Sequence, residues 1–284
     1  MNVGAVCSEA MVSQVVSDIV TFAHPPVVEV VAGVAFDGLG AEAGALLAAF
    51  WKEHLRQQFP SLQQQPPYFP PDEQFPVEAR ASGVNLSFGV PPVVRLWAQS
   101  SDGQELLQLQ PGWFACNWRK VQPEGTYDRW RNRRQSFQRH FQALSDYISA
   151  EGMGQLKVRQ CEVTYINHIA PSASWSRHDK FFDVFTVSLQ GDVPHPFEQM
   201  AIQAQSILIR DDEPYGRLYT KIFPAFGMDG KTPLYVFELT ARGAPQGEGV
   251  EGALAFLDLG REAIDRTFFA LTTQPVHGDW GFEP

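Results

Sequence analysis

Cysteine is scarce in this chain, with three in 284 residues (Cys7, Cys116 and Cys161) and no CxxC pair among them. Isolated thiols exclude a disulfide framework and a paired-cysteine metal site, and they fit a reducing cytoplasmic setting. Long apolar runs are missing too, since no stretch approaches the roughly 20 residues that span a bilayer. Met1 to Ala23 carries no Lys or Arg, which removes the charged start of a secretory signal peptide. Positive charge is short overall: 22 Lys and Arg stand against 32 Asp and Glu, for a formal net charge of −10. That balance argues against a general binder of nucleic acid or of anionic membranes. Catalytic signatures are absent as well. No GxSxG, SxxK, GxxxxGK[ST], HxH or HExxH occurs, and the other histidines (His24, His54, His140, His178, His195, His277) are scattered. Neither a metal nor a cofactor is therefore expected.

Large apolar side chains are abundant. Hydrophobic residues make up 44% of the chain and aromatics 12%, which is enough to bury a sizeable core. Residues 1–23 read as a loosely ordered leader. The valine-rich run Val27 to Phe36 reads as a strand buried on both faces. Leu46, Leu47, Phe50, Trp51 and Leu55 follow at helical spacing. Residues 60–76 hold repeated Pro-Pro pairs and Gln63-Gln64-Gln65, and read as a surface loop with no central strand. Strands are predicted at Asn85–Phe88, Val93–Gln99, Glu105–Gln110 and Trp113–Trp118. Next comes a helix over Tyr127–Ala150, with Trp130, Phe137, Phe141, Leu144 and Ile148 as its core stripe. The second part reads as strands at Val158–Ile169, Phe181–Leu189, Ala201–Ile209, Arg217–Phe223 and Leu234–Arg242, then a helix over Val250–Leu271.

Strands that run consecutively pair antiparallel. The expected fold is α+β, with mainly antiparallel sheets, three long helices and two closely packed halves. Residues 24–150 form the first half and 151–284 the second.

Four places could carry chemistry. The glycines after Phe36 (Gly38, Gly40, Gly44) miss the GxGxxG spacing by one residue, and a turn with a helix start explains them. Arg119, Lys120, Arg129, Arg131, Arg133, Arg134 and Arg139 form the one basic cluster. At 100° per residue they spread around the helix, so the Arg119–Arg139 region, with Arg133 and Arg134 beside Arg119 and Lys120, is only a minor candidate for weak nucleic-acid or anion binding. Alternation puts Cys161, Val163, Tyr165, Asn167 and Ile169 on one face of their strand, with Glu162, Thr164, Ile166 and His168 on the other. Cys161 and His168 thus cannot form a nucleophilic pair. Asn167 and His168 end an otherwise apolar strand and need polar partners. They are expected either to pin a neighbouring connection or to mark a binding corner.

Several motifs in order resemble a sporadically distributed family of uncharacterised prokaryotic proteins of about this length. They are Pro25-Pro26-Val27-Val28-Glu29-Val30, Arg95-Leu96-Trp97, Leu107-Gln108-Leu109-Gln110, Asn117-Trp118-Arg119-Lys120 and Thr164-Tyr165-Ile166-Asn167-His168-Ile169, with a late Trp280. The resemblance covers about residues 24–281, and Gly125-Thr126-Tyr127 replaces the family's usual tyrosine-proline. It implies a bacterial cytoplasmic origin and an accessory gene context such as defence or toxin–antitoxin loci, and no established activity. The leading functional expectation is a non-catalytic protein-binding or regulatory component that engages a protein partner or a second copy of itself through aromatic anchors. The alternative is a small-molecule sensor or an enzyme of unfamiliar type, its site between the two halves. Candidate binding residues are Asn117, Arg119, Lys120, Tyr165, Asn167 and His168; no catalytic residue stands out, and no membrane contact is expected.

Overall fold

The computed structural model describes residues 21–37, 39–40, 42–76, 93–122, 125–189, 191 and 194–282. The chain lays down β1 (Val27–Phe36), helix α1 (Ala43–Phe50), β2 (Ser61–Gln65), β3 (Arg95–Gln99), β4 (Glu105–Gln110), β5 (Trp113–Arg119) and helix α2 (Trp130–Ala150). It continues with β6 (Val158–Ile169), a 3₁₀ turn at His178–Lys180, helix α3 (Phe181–Val184), β7 (Ile202–Arg210), β8 (Glu213–Phe226) and β9 (Pro233–Gly243). Helices α4 (Gly249–Leu271) and α5 (Gln274–Asp279) close it. All nine strands join one antiparallel sheet in the order β2-β3-β4-β5-β1-β6-β9-β8-β7. The two parts of the chain therefore share a single sheet whose central pair is β1–β6.

Alternation decides the two faces of that sheet. Val30, Val34, Cys161, Val163, Tyr165, Phe237 and Leu239 are buried on the side covered by α2 and α4. Those helices contribute Phe137, Phe141, Leu144 and Ile148 from α2, and Leu254, Phe256, Leu257 and Ile264 from α4. Gly260 of α4 sits where an added Cβ would lie 2.7 Å from Val163 Cγ1, so the helix rests directly on the sheet. The opposite face carries no helix among the described residues and presents polar side chains.

Several expectations need correction. Phe181–Leu189 is not a strand: Phe181, Val184 and Phe185 are buried while Phe182 is 44% exposed, an i, i+3, i+4 pattern that the even spacing of the phenylalanines conceals. Ser61–Gln65, inside the proline-rich segment, forms edge strand β2; its prolines flank the strand at 60 and 66 and cost no ladder donor. Only two helices are long, because α1 has eight residues and runs on into a π turn at Trp51–Leu55. At the end of the leader Phe22 is 7% exposed, its ring edge-on to Phe268 and Trp280. The strand predicted at Asn85–Phe88, and residues 1–20, lie outside the described residues.

Two histidines enter the core neutral. His140 of α2 donates Nδ1–H to the Ser136 carbonyl at 2.8 Å, and burial, then the nearby Arg139 charge, depresses its pKa to about 4. His277 of α5 donates Nε2–H to Thr272 Oγ1 at 2.7 Å and stacks on Phe269; burial lowers it to about 4 as well. Their unfolded counterparts bind protons below about pH 6.5, so the stability they contribute is full above that value and lost as pH falls toward 4. Asp265 of α4, raised to about 6 by burial, acts the opposite way in the same window. Two histidines outweigh one aspartate. Melting temperature is expected to fall between pH 7 and pH 4.5, and to fall less in His140→Gln.

Candidate functional site

The open face of the sheet is concave along the β1–β6 seam and holds a cleft of about 470 Å³. Its most costly feature is a set of buried charges. Glu162 of β6 and Arg242 of β9 are register partners, and Arg242 donates Nε–H to Glu162 Oε2 at 2.8 Å while its Nη2 lies 2.6 Å from the same oxygen. Arg217 of β8, opposite Arg242, pairs with Glu73 and donates Nη2–H to the Gln74 carbonyl at 3.1 Å. Arg242 Nη1 reaches Glu73 Oε1 at 3.5 Å, so the four charges form one network. Each side chain is at most 10% exposed. Burying charges this deeply is favourable only with dense pairing and hydrogen bonding, which the network supplies.

Glu73 arrives from the segment after β2, which crosses the open face as a strap. Gln110 of β4 and Tyr68 exchange two hydrogen bonds of 2.8 Å each, Tyr68 N–H to Gln110 Oε1 and Gln110 Nε2–H to the Tyr68 carbonyl. Gln160 of β6 accepts from Glu73 N–H at 2.8 Å and donates to the Pro71 carbonyl at 3.0 Å. The prolines remove backbone donors that would need partners here, and glutamine side chains accept from two of those that remain, at Tyr68 and Glu73. Tyr68 O–H donates to Glu162 at 3.1 Å, and its ring meets Trp113 edge-on. Burial, then the Glu162 charge, pushes the Tyr68 phenol well above its ordinary value, so it stays a neutral donor.

The cleft lies beside this network. One wall is Arg95, Gln108 and Trp113, the floor Thr164 and Ile166, and the other wall Tyr219, Lys221, Glu238 and Thr240. Thr164 and Thr240 share a 2.8 Å hydroxyl contact, and Lys221 donates to Glu238 at 2.8 Å. Arg95 Nη1 donates to Gln108 Oε1 at 2.9 Å, and Gln108 Nε2 donates to Asn117 Oδ1 at 2.8 Å. Arg95 Nε and Trp113 Nε1 are buried without an acceptor among the described residues. Both side chains border the cleft, with these two nitrogens lying beneath its surface. No group of three or more His, Cys, Asp or Glu among the described residues is placed to hold a metal ion. Cys116 and Cys161 are buried on the helix side, where burial drives both thiols up and leaves them inert.

The candidate residues from the sequence divide between the two faces. Asn117 lies on the open face behind the cleft, donating Nδ2–H to Glu29 Oε1 at 2.6 Å. Arg119 and Lys120 sit at the end of β5, outside the cleft. Tyr165 and Asn167 face the helices: the Tyr165 and Tyr127 hydroxyls meet at 2.9 Å, and Asn167 Nδ2 donates to the Phe237 carbonyl at 3.1 Å. His168 points the other way and is exposed. Arg133 and Arg134 form no joint anion patch, because each is held by its own carboxylates, Glu105 and Asp128 for the first and Asp258 for the second. Glu162, Arg217 and Arg242 are not among those candidates, because alternation alone places them on a polar face with Lys221 and Glu238. Tyr68 and Glu73 lay in a segment whose composition shows only a loop. No protein-family model matches this chain, and the search of curated proteins returns no match.

Proposed function

We propose that the open-face cleft binds a small polar molecule rich in acceptor oxygens, and that the protein is a non-catalytic, ligand-responsive regulatory component. The observation that carries this is a polar cleft of about 470 Å³, lined by Arg95, Gln108, Lys221, Glu238 and Thr240 beside a fixed network of ion pairs. Three cations (Arg95, Lys221, Arg242) stand against two carboxylates (Glu162, Glu238) in its walls, so a ligand of little net charge fits. On the same reading the sheet is two like halves, β1 answering β6, β5 answering β9, β4 answering β8 and β3 answering β7. A ligand at the seam then touches both halves, which suits a sensor. The family resemblance agrees, since Arg95, Trp97, Gln108, Gln110 and Asn117 of its motifs alternate onto the open face. A bacterial cytoplasmic accessory system, of the defence or toxin–antitoxin kind, belongs to the same proposal.

The test is native mass spectrometry of protein taken gently from its host, followed by titration of what is found, with sugars, nucleosides and small oxo-acids as the panel otherwise. A bound small molecule is expected, with affinity about tenfold or more lower in Arg95→Met, since a hydrogen bond from a charged donor is worth about 1.5–3 kcal/mol. An empty cleft and no response to the panel, or equal affinity in Arg95→Met, overturns the reading. A stoichiometric protein partner in place of a small molecule transfers it to protein recognition. The surface that favours that outcome is the outer edge of β7, which no strand among the described residues pairs with and where Ile207 and Ile209 are 52% and 61% exposed.

A further inference from the structure

A second cavity lies on the other face of the sheet, separate from the polar cleft. It has a volume of about 750 Å³ and opens between the start of α2, the middle of α4 and the helix side of β6. Its apolar walls are Phe22, Val27, Ile264 and Phe268; the polar atoms among them are the Trp130 indole N–H, the Tyr127 and Tyr165 hydroxyls, which bond each other, and the Asn167 amide, which donates to the Phe237 carbonyl. The Trp130 N–H is spent, donating to Asp258 Oδ1 at 2.8 Å. An aliphatic body of about ten carbons fits walls of this kind and gains by leaving water.

The mouth is charged with one sign in excess. Four arginines, Arg129, Arg131, Arg134 and Arg261, stand against Asp258 and Asp265. Arg134 Nε lies 2.9 Å from Asp258 Oδ2, and Arg261 Nη2 lies 2.6 Å from Asp265 Oδ2, a buried oxygen with no well-formed hydrogen bond among the described residues. Arg129 donates only to a backbone carbonyl, that of Phe22 at 3.0 Å, and the Arg131 side chain has no hydrogen-bond or ion-pair partner among the described residues. Both arginines belong to the beginning of α2, whose N-cap is Arg129 and whose first turn has no acidic residue. Cations there oppose the helix dipole, a conflict that Asp128 just before the N-cap offsets only in part, and an anion at the mouth meets two guanidinium groups without a carboxylate partner among the described residues.

We propose that this cavity binds an amphipathic carboxylate, its aliphatic chain among Phe22, Ile264 and Phe268 and its head at Arg129 and Arg131. Polar ligands of the open-face cleft have no place here, so the two sites are tested separately. The experiment is isothermal titration of the full chain with sodium decanoate below its micellar concentration, with decanol as the neutral comparator of the same length. Saturable 1:1 binding of decanoate is expected, weaker by about tenfold or more for decanol and for Arg129→Gln/Arg131→Gln. Ile264→Trp, which fills the cavity and leaves the arginines in place, should abolish binding, with circular dichroism confirming that the variant is folded. Absence of saturable decanoate binding, whatever else covers the mouth, overturns the proposal. So does equal binding of decanol, or full affinity in either variant.

Discussion

Replacing Arg242 with methionine should cost about 3–5 kcal/mol of stability, the loss expected when one partner of a buried ion pair is removed. At this chain length that is a drop in melting temperature on the order of 10 °C. The size follows from what stays behind. Glu162 is 5% exposed and would keep only the Tyr68 hydroxyl as a donor, while Glu73 would keep Arg217 and Tyr219. Urea denaturation of the two proteins at pH 7 reads the loss directly. Glu162→Leu combined with Arg242→Met should recover part of the loss, because removing both charges removes the desolvation cost. A loss under 1 kcal/mol for the single variant would mean that water reaches the network and that the strap does not seal it.

The same residues show what is legible in the sequence. Periodicity announces β6, β9, α2 and α4, because each must place apolar side chains on one covered face. Phe181 defeats that rule, since four residues to Phe185 is both two strand repeats and one helical turn, and only the burial of Val184 separates them. Glu162, Arg217 and Arg242 lie on the side away from the core, where Lys221, Glu238 and Thr240 make the same alternation read as an ordinary solvated face. The other half of their network is not readable either. Tyr68 reaches Glu162 across 94 positions and Tyr219 reaches Glu73 across 146, through a strap whose composition says only that it is no helix. The helix-side cavity depends on how far α2 stands from α4, a distance that periodicity does not encode.

Gly243→Ala should be a severely damaging single-methyl change, at about 3 kcal/mol or more. Gly243 ends β9 and pairs with Cys161 of β6 and Gly216 of β8. A Cβ there would lie 2.3 Å from the Tyr215 carbonyl oxygen, 2.6 Å from Phe256 Cε2 and 2.8 Å from Gly216 Cα. Gly216 is equally confined, its own Cβ position being 2.8 Å from the Arg242 carbonyl. Two facing glycines thus make a notch in the sheet, and Phe256 of α4, which is fully buried, seats in it. The requirement is for space, because two of the three obstructing atoms are backbone and cannot swing aside. Phe256→Leu should therefore rescue Gly243→Ala only slightly, since the carbonyl contact remains. Gly44 supplies the control. It lies in α1, exposed, with nothing within 4 Å of an added Cβ, so Gly44→Ala should raise stability by about 0.5–1 kcal/mol through helix propensity alone. Paired urea titrations of the two variants should therefore move in opposite directions. If Gly243→Ala is neutral, β8 and β9 can part at this end, and the helix does not hold the sheet edge as described.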